Sequence, residues 1–208
     1  SHELRSPLGR IQIALGLAAL EKADIPAQHR RIERDVERMD ALIEEIIRLA
    51  RLTDAPHSVS MEIMDAGELI KNVVDDAISE ARARACEIDF SAESSLFVSG
   101  NGELLRRAIE NVLRNAIRFS PICTTVEVKA RRDCEKIVIE IRDRGPGVSE
   151  ADLERIFEPF FRVSFARERD SGGTGLGLAI TERVMSLHSG RVTARNHPAG
   201  GLIVTLVC

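Results

Sequence analysis

The 208-residue sequence has no tryptophan and no tyrosine, and its only aromatic rings of that kind are seven phenylalanines. A surface that stacks nucleic-acid bases on aromatic side chains has little to build from here. Nor is there a concentrated basic patch: net charge is -4 and the Lys and Arg residues are spread along the chain, so no nucleic-acid partner is expected. Cysteine is scarce. Cys86, Cys123, Cys134 and Cys208 form no Cys-x-x-Cys pair and read as reduced thiols in strands and cores, not as a disulfide framework or a zinc site. His29, His57, His188 and His197 lack metal-ligand spacing. No apolar run approaches the ~18 residues that span a bilayer, and no signal peptide is visible, so no direct membrane contact is expected. The remaining composition, 44% hydrophobic and 30% charged, suits a globular chain of one large domain or two small ones.

Residues from about 2 to 22 have helical periodicity. Leu4, Leu8, Ile11, Leu15 and Ala18 form one apolar stripe, while Ile13, Leu17 and Leu20 add apolar groups on the opposite side. Asp24-Ile25-Pro26 is a break, with Pro26 suited to the first turn of the next helix. That second helix is expected over about 27–53, where Ile32, Val36, Met39, Ile43, Ile46 and Ala50 repeat the 4-3 spacing. A short turn between two such helices gives an antiparallel hairpin. One hairpin cannot cover two apolar faces; dimerisation into a four-helix bundle would, and packing against the rest of the chain is the alternative.

Asp54-Ala55-Pro56-His57-Ser58 reads as a linker. Beyond it the pattern is mixed: a strand at 59–64, a helix at 66–84, strands at 87–91 and 97–99, and a helix at 102–118. A β-hairpin follows at 125–131 and 136–142, then a Gly/Pro-rich stretch at 144–173, a helix at 174–187 and strands at 191–196 and 201–207. The long loop has the length of a functional lid, with Arg167–Asp170 as its solvated centre.

Five blocks carry chemistry. In His2-Glu3-Leu4-Arg5-Ser6-Pro7-Leu8, His2 and Ser6 are four apart and both lie ~160° from Leu4, off the apolar stripe. A neutral imidazole offers a lone pair to a phosphoryl group, and Pro7 kinks the helix beside it. Asn111 and Asn115 also sit four apart on one helical face, where amide oxygens suit a hard cation such as Mg²⁺ without adding charge. Arg118 and Phe119 end that helix. Asp143 closes a Val/Ile-rich strand, ahead of Gly145 and Gly147, which let a backbone pass close to a ligand. Phe157–Arg162 is an aromatic cluster. Gly173-Thr174-Gly175-Leu176-Gly177-Leu178 runs into a helix whose free N–H groups favour phosphate. It is neither a P-loop nor a dinucleotide fingerprint, since it lacks Gly-Lys-Ser/Thr and no strand immediately precedes it.

In this order the blocks resemble the H-, N-, first glycine, F- and second glycine boxes of bacterial two-component sensor histidine kinases, nearly end to end. The resemblance implies an α-helical hairpin that forms a dimeric four-helix bundle, followed by an α/β sandwich of the Bergerat (GHKL) type. Residues 1–53 would be the dimerisation and histidine phosphotransfer domain, 54–59 the linker, and 60–208 the ATP-binding domain. It further implies that His2 accepts phosphate from ATP, with Glu3 as its acid/base partner. Ser6, where Thr or Asn is commoner, would position a water for dephosphorylating the partner. Asn115 and Asn111 would hold Mg²⁺, Arg118 would reach phosphate, Arg162 would approach the phosphates or the partner helix, and Phe119 would pack near the nucleotide. Asp143 would read adenine, flanked by Gly145 and Gly147, and Gly173–Leu178 would cradle the phosphates. The implied partners are a response regulator receiver domain and a second copy of the chain. The implied setting is the cytoplasmic portion of an inner-membrane sensor, cut from its sensor and membrane parts. Two rivals share some of these features: a GHKL ATPase of the gyrase, chaperone or mismatch-repair kind, and a dimerisation module that binds nucleotide without transfer.

Overall fold

A computed structural model describes residues 2–18, 24–54, 60–163 and 174–208. Two units part between Arg51 and Leu52, with Thr174 clustering with the first.

In the first unit, helix α1 spans His2–Ala18 and α2 spans Ile25–Asp54. The expected end of α1 near residue 22 lies outside the described residues. Asp24 accepts the Ala27 N–H at 3.0 Å, a side-chain cap that starts α2 two residues earlier than the periodicity suggests and leaves Pro26 in its first turn. The Arg10 guanidinium binds Asp35 Oδ1 through Nε at 3.0 Å and Nη2 at 2.8 Å. Arg10 is eight residues before the end of α1 and Asp35 ten after the start of α2, the symmetry of an antiparallel pair.

The apolar stripes need correction. Among the described side chains the buried positions are Ala14 on α1 and Asp35, Leu42 and Leu52 on α2; of the expected stripes Ile11, Ile32, Met39 and Ile46 are half-buried, whereas Leu8, Leu15, Val36 and Ile43 stay exposed. A small residue, an ion pair and Leu42 thus lie on the covered side of the hairpin, while about half of the expected stripe is left exposed.

The second unit begins with β1 (Glu62–Asp65) and α3 (Ala66–Ala83), which Asp65 caps by accepting from Gly67 N and Glu68 N. Strands β2 (Glu87–Ala92) and β3 (Phe97–Gly100) lead to α4 (Gly102–Phe119), capped by Asn101. Then come β4 (Thr125–Asp133), β5 (Lys136–Arg142), two 3-10 turns at Glu150–Asp152 and Arg155–Phe157, α5 (Gly177–Leu187), β6 (Arg191–Asn196) and β7 (Leu202–Val207). β1 and β3 pair antiparallel as a separate ribbon, while the main sheet runs β2-β4-β5-β7-β6. Only β2–β4 is parallel, since α4 lies in the connection between those two strands, a crossover that returns the chain in the same direction.

The core lies between helices and sheet. From α4 it takes Leu105, Ala108, Ile109, Val112, Leu113, Ala116 and Ile117, and from the sheet Val126, Val128, Ile139 and Ile141. This is the α/β sandwich expected after the hairpin. Two details differ from expectation. The last helix starts at Gly177 instead of residue 174, because Gly175 has φ +76 and cannot continue a helix. Cys86 is a core thiol as expected, but Cys123 and Cys134 are exposed at left-handed turn positions, so those two are neither in strands nor in cores. Among the described residues no helix is long and apolar enough to cross a membrane.

Candidate active site

Helix α4 joins three of the sequence blocks. Its buried face fixes the roll of the helix, which sets Asn111 and Asn115 beside that face, both partly exposed. Asn111 Nδ2 donates to the Gly177 carbonyl at 3.1 Å, at the first turn of α5. That bond assigns the nitrogen and leaves Oδ1 as the acceptor end of the amide. Asn115 carries no side-chain hydrogen bond among the described residues. At the other end of α4, the Phe119 carbonyl packs so tightly on Gly145 that a Cβ there would sit 2.7 Å from it. The asparagine pair, the aspartate block and the second glycine block therefore meet along one helix.

Asp143 immediately follows β5 and is 7% exposed. Its Oδ1 accepts from Gly145 N at 2.8 Å and Leu202 N at 3.0 Å, so Oδ2 is the oxygen left without a partner among the described residues. Burial raises the Asp143 pKa, opposed by the Leu202 and Gly145 backbone bonds and by Arg142. Gly147, at φ +73, would put a Cβ 2.6 Å from Asn196 Oδ1. Asn196 holds this turn by accepting from Val148 N at 2.9 Å and donating to Val148 O at 2.7 Å.

Gly175 lies against the Phe160 backbone, where a Cβ would meet Cα and C at 2.9 Å, and Phe160 N donates to the Gly175 carbonyl at 2.8 Å. The aromatic block and the second glycine block are thus fastened together. Leu176 is fully buried behind them, and Gly177 and Leu178 open α5. Arg118 is half-buried with its guanidinium 5.3 Å above the Phe119 ring. Burial lowers its pKa, helped by the nearby charges of Arg162 and Arg84, so several cations converge at the end of α4. Arg84 Nη1 donates to the Arg118 carbonyl at 3.2 Å.

Thr174 is set apart, clustering with the first unit. Gly173 lies outside the described residues, as do Arg167–Asp170. His2, Glu3 and Ser6 lie on α1, and their side chains are outside the description. Sequence reasoning missed Leu202, whose N–H fixes Asp143, along with Asn196 and Gly201. A Cβ on Gly201 would meet the Asp143 carbonyl at 2.0 Å. The Gly200-Gly201 pair was the one visible signal, marking a turn but not what it touches.

Residues 1–55 match the family model described as His Kinase A (phospho-acceptor) domain. Residues 100–208 match the one described as histidine kinase-, DNA gyrase B-, and HSP90-like ATPase. The sequence is 39% identical over 204 residues to the sensor histidine kinase CpxA of Escherichia coli K12, covering 97% of this chain and 44% of that protein. The chain belongs to the sensor histidine kinase family. It spans less than half the length of that relative. Among solved structures, the Acinetobacter baumannii histidine kinase AdeS matches with a TM-score of 0.79 at 21% identity, over 100% of this chain and 96% of that one. Histidine kinase ThkA in complex with response regulator protein TrrA matches with a TM-score of 0.78 at 18% identity, over 99% and 58%. At those identities the likeness is one of fold, and it agrees with a helical part followed by a mixed sheet for this histidine-kinase chain.

Proposed function

We propose that this chain is the catalytic core of a sensor histidine kinase, which moves the γ-phosphoryl group of ATP to His2 and then to an aspartate of a response regulator receiver domain. The observation that carries the reading is α4 joining the asparagine, aspartate and glycine blocks into one site. Asp143 Oδ2 accepts the adenine amine, and Gly145 and Gly147 let the base lie against the turn. The α5 N-terminus, Arg118 and Arg162 take the phosphates. Asn111 Oδ1 and the uncommitted Asn115 amide suit Mg²⁺, a hard cation with a taste for uncharged and phosphate oxygens. When bound, Mg²⁺ neutralises charge on the phosphates.

In the transfer, one imidazole nitrogen of His2 forms the N–P bond as the bond from Pγ to the bridging oxygen breaks and ADP departs. Glu3 takes the proton from the other ring nitrogen. Catalysis then rests on positioning and charge. Ser6 would position the water that dephosphorylates the regulator. Residues 1–53 would be the dimerising phosphotransfer domain and 60–208 the ATP-binding domain, with a homodimer formed through the exposed apolar residues of α1 and α2. The cytoplasmic side of an inner membrane is the setting that suits these partners.

Incubation with γ-labelled ATP and Mg²⁺ tests the reading, comparing the unaltered chain with His2→Gln and Asn115→Ala. Label that survives alkali but not acid, and is lost in both variants, is the expected result. Nucleotide binding with no label, in this chain and in one extended upstream of Ser1, would overturn it in favour of an ATPase or a binding module.

A further inference from the structure

The side of the main sheet turned away from α3–α5 carries a second polar construction. Alternate residues along each strand face that side, and register aligns them in two rows. Glu127 lies opposite Arg142, Arg142 opposite Ile203, and Ile203 opposite Arg195. In the next row Lys129 lies opposite Glu140. Together with His197, just beyond β6, these groups line a groove of about 230 Å³.

Its charges do not balance. Glu127 alone binds three cations: Arg142 at 3.1 Å, Arg144 at 2.5 Å and Lys129 at 3.2 Å. Arg195 reaches Glu140 at 3.6 Å. Three cations of the lining, Lys129, Arg142 and Arg195, stand against its two carboxylates, and Arg144 at its edge adds a fourth, so the surplus is positive on a chain whose net charge is -4. Burial pushes the Glu127 carboxyl up, but Lys129, Arg142 and Arg144 more than reverse it and hold it below its ordinary value, so protonation of Glu127 does not relieve the site. His197 Nδ1 faces Arg142 Nη2 at 2.9 Å and accepts from Ala199 N at 3.0 Å. That places the ring proton on Nε2, as a donor. Burial lowers the His197 pKa, and Arg142, Arg144 and Arg195 lower it further against the opposing pull of Glu127. Burial first and the surrounding cations second thus disfavour the imidazolium. Arg142 Nε is buried without a partner.

We propose that this groove is a second anion site, taking a compact phosphate group held by Arg195, Lys129 and the His197 Nε2–H on the opposite side of the sheet from Asp143. Glu127 already holds Lys129 and Glu140 already holds Arg195, so little ordering remains when the anion arrives. The two carboxylates interrupt the basic surface, which favours a compact dianion over an extended polyanion.

The test follows the His197 ring Cε1–H by NMR through a pH titration, in inorganic phosphate, in phosphoserine, and in chloride at matched ionic strength. A non-hydrolysable ATP analogue with Mg²⁺ is held at saturation throughout, so the nucleotide site is closed to the added phosphate. An anion in the groove stabilises the imidazolium, so the His197 midpoint should rise by roughly half a pH unit or more in phosphate beyond chloride, saturably. Arg195→Gln and Lys129→Gln should each weaken that response while leaving nucleotide binding unchanged. The stronger response of the two phosphates assigns the source, a free ion or a phosphorylated protein side chain. A midpoint that moves no further than in chloride would overturn the site, as would an undiminished response in both variants.

Discussion

Asp143 is the residue on which the nucleotide reading turns, and its burial makes opposite demands on stability and on binding. A carboxyl whose pKa is raised in the fold is harder to ionise there than in the unfolded chain. Its contribution to stability is therefore greatest below the unfolded pKa and declines as pH rises through the folded one. Asp143→Asn keeps an oxygen for Gly145 N and Leu202 N but turns an NH₂ towards the adenine amine, donor against donor. The variant should melt at a higher temperature than the unaltered chain at pH 7, yet bind ATP about 10–100-fold more weakly, the loss expected of one charge-assisted hydrogen bond. Calorimetric melting and a nucleotide titration check both halves. In the unaltered chain, ATP affinity should fall as pH drops through a range above the usual aspartate value, and Asp143→Asn should flatten that fall. The sequence made Asp143 visible, because an acid after a Val/Ile strand and before Gly-x-Gly is a local pattern. Leu202, 59 residues away, was not visible as its partner: a backbone N–H has no residue signature, and only the β5–β7 register brings it there.

At the scale of elements, the two glycines that flank Leu176 look alike in sequence and differ in the fold. Gly175 is left-handed and pressed on the Phe160 backbone, whereas a Cβ on Gly177 would meet Asn111 at an ordinary 3.5 Å. Gly175→Ala should cost about 2 kcal/mol or more, combining an unfavourable φ with a clash against backbone that cannot yield. Gly177→Ala should be neutral or stabilising by up to about 1 kcal/mol, since alanine suits a helix better. Denaturant titration of the two variants gives the comparison, and equal losses would contradict it. Most helices and strands were legible from periodicity within a residue or two. The start of α5 was not, because glycine is compatible with helix and turn alike, and its φ is settled by Phe160, 15 residues earlier. The β1–β3 ribbon was also hidden: two four-residue strands carry too little alternation to announce whom they pair with.

At the scale of the whole molecule, the first unit has apolar surface in excess of what one hairpin covers. On α2, Asp35 and Leu42 are seven apart and buried, while Val36, Ile43 and Ile47 occupy the adjacent lane and remain 44%, 42% and 46% exposed. On α1, Leu8, Ile13 and Leu15 are exposed in the same way. Two neighbouring heptad lanes on one helix, one turned to its own partner and one unfilled, form the pattern of a bundle that closes only with a second copy. The sequence showed that two faces needed covering but misassigned them. It assigned the stripes by 4-3 spacing of apolar residues, whereas the buried positions include Ala14 and the ion-paired Asp35 beside Leu42, and Leu8, Leu15, Val36 and Ile43 stay exposed. Ile43→Glu puts a carboxylate in the unfilled lane, where dimerisation would bury two of them, one from each copy. Dimer affinity should fall at least about 100-fold, so light scattering should report a monomer at concentrations where the unaltered chain is a dimer. Nucleotide binding should persist, since none of the residues proposed to hold the nucleotide lies on α2. Autophosphorylation should fall with the dimer if the ATP-binding domain of one copy serves His2 of the other. If instead each copy serves its own histidine, the monomer should keep part of its labelling rate, and mixing His2→Gln with Asn115→Ala chains, each lacking what the other has, should restore none.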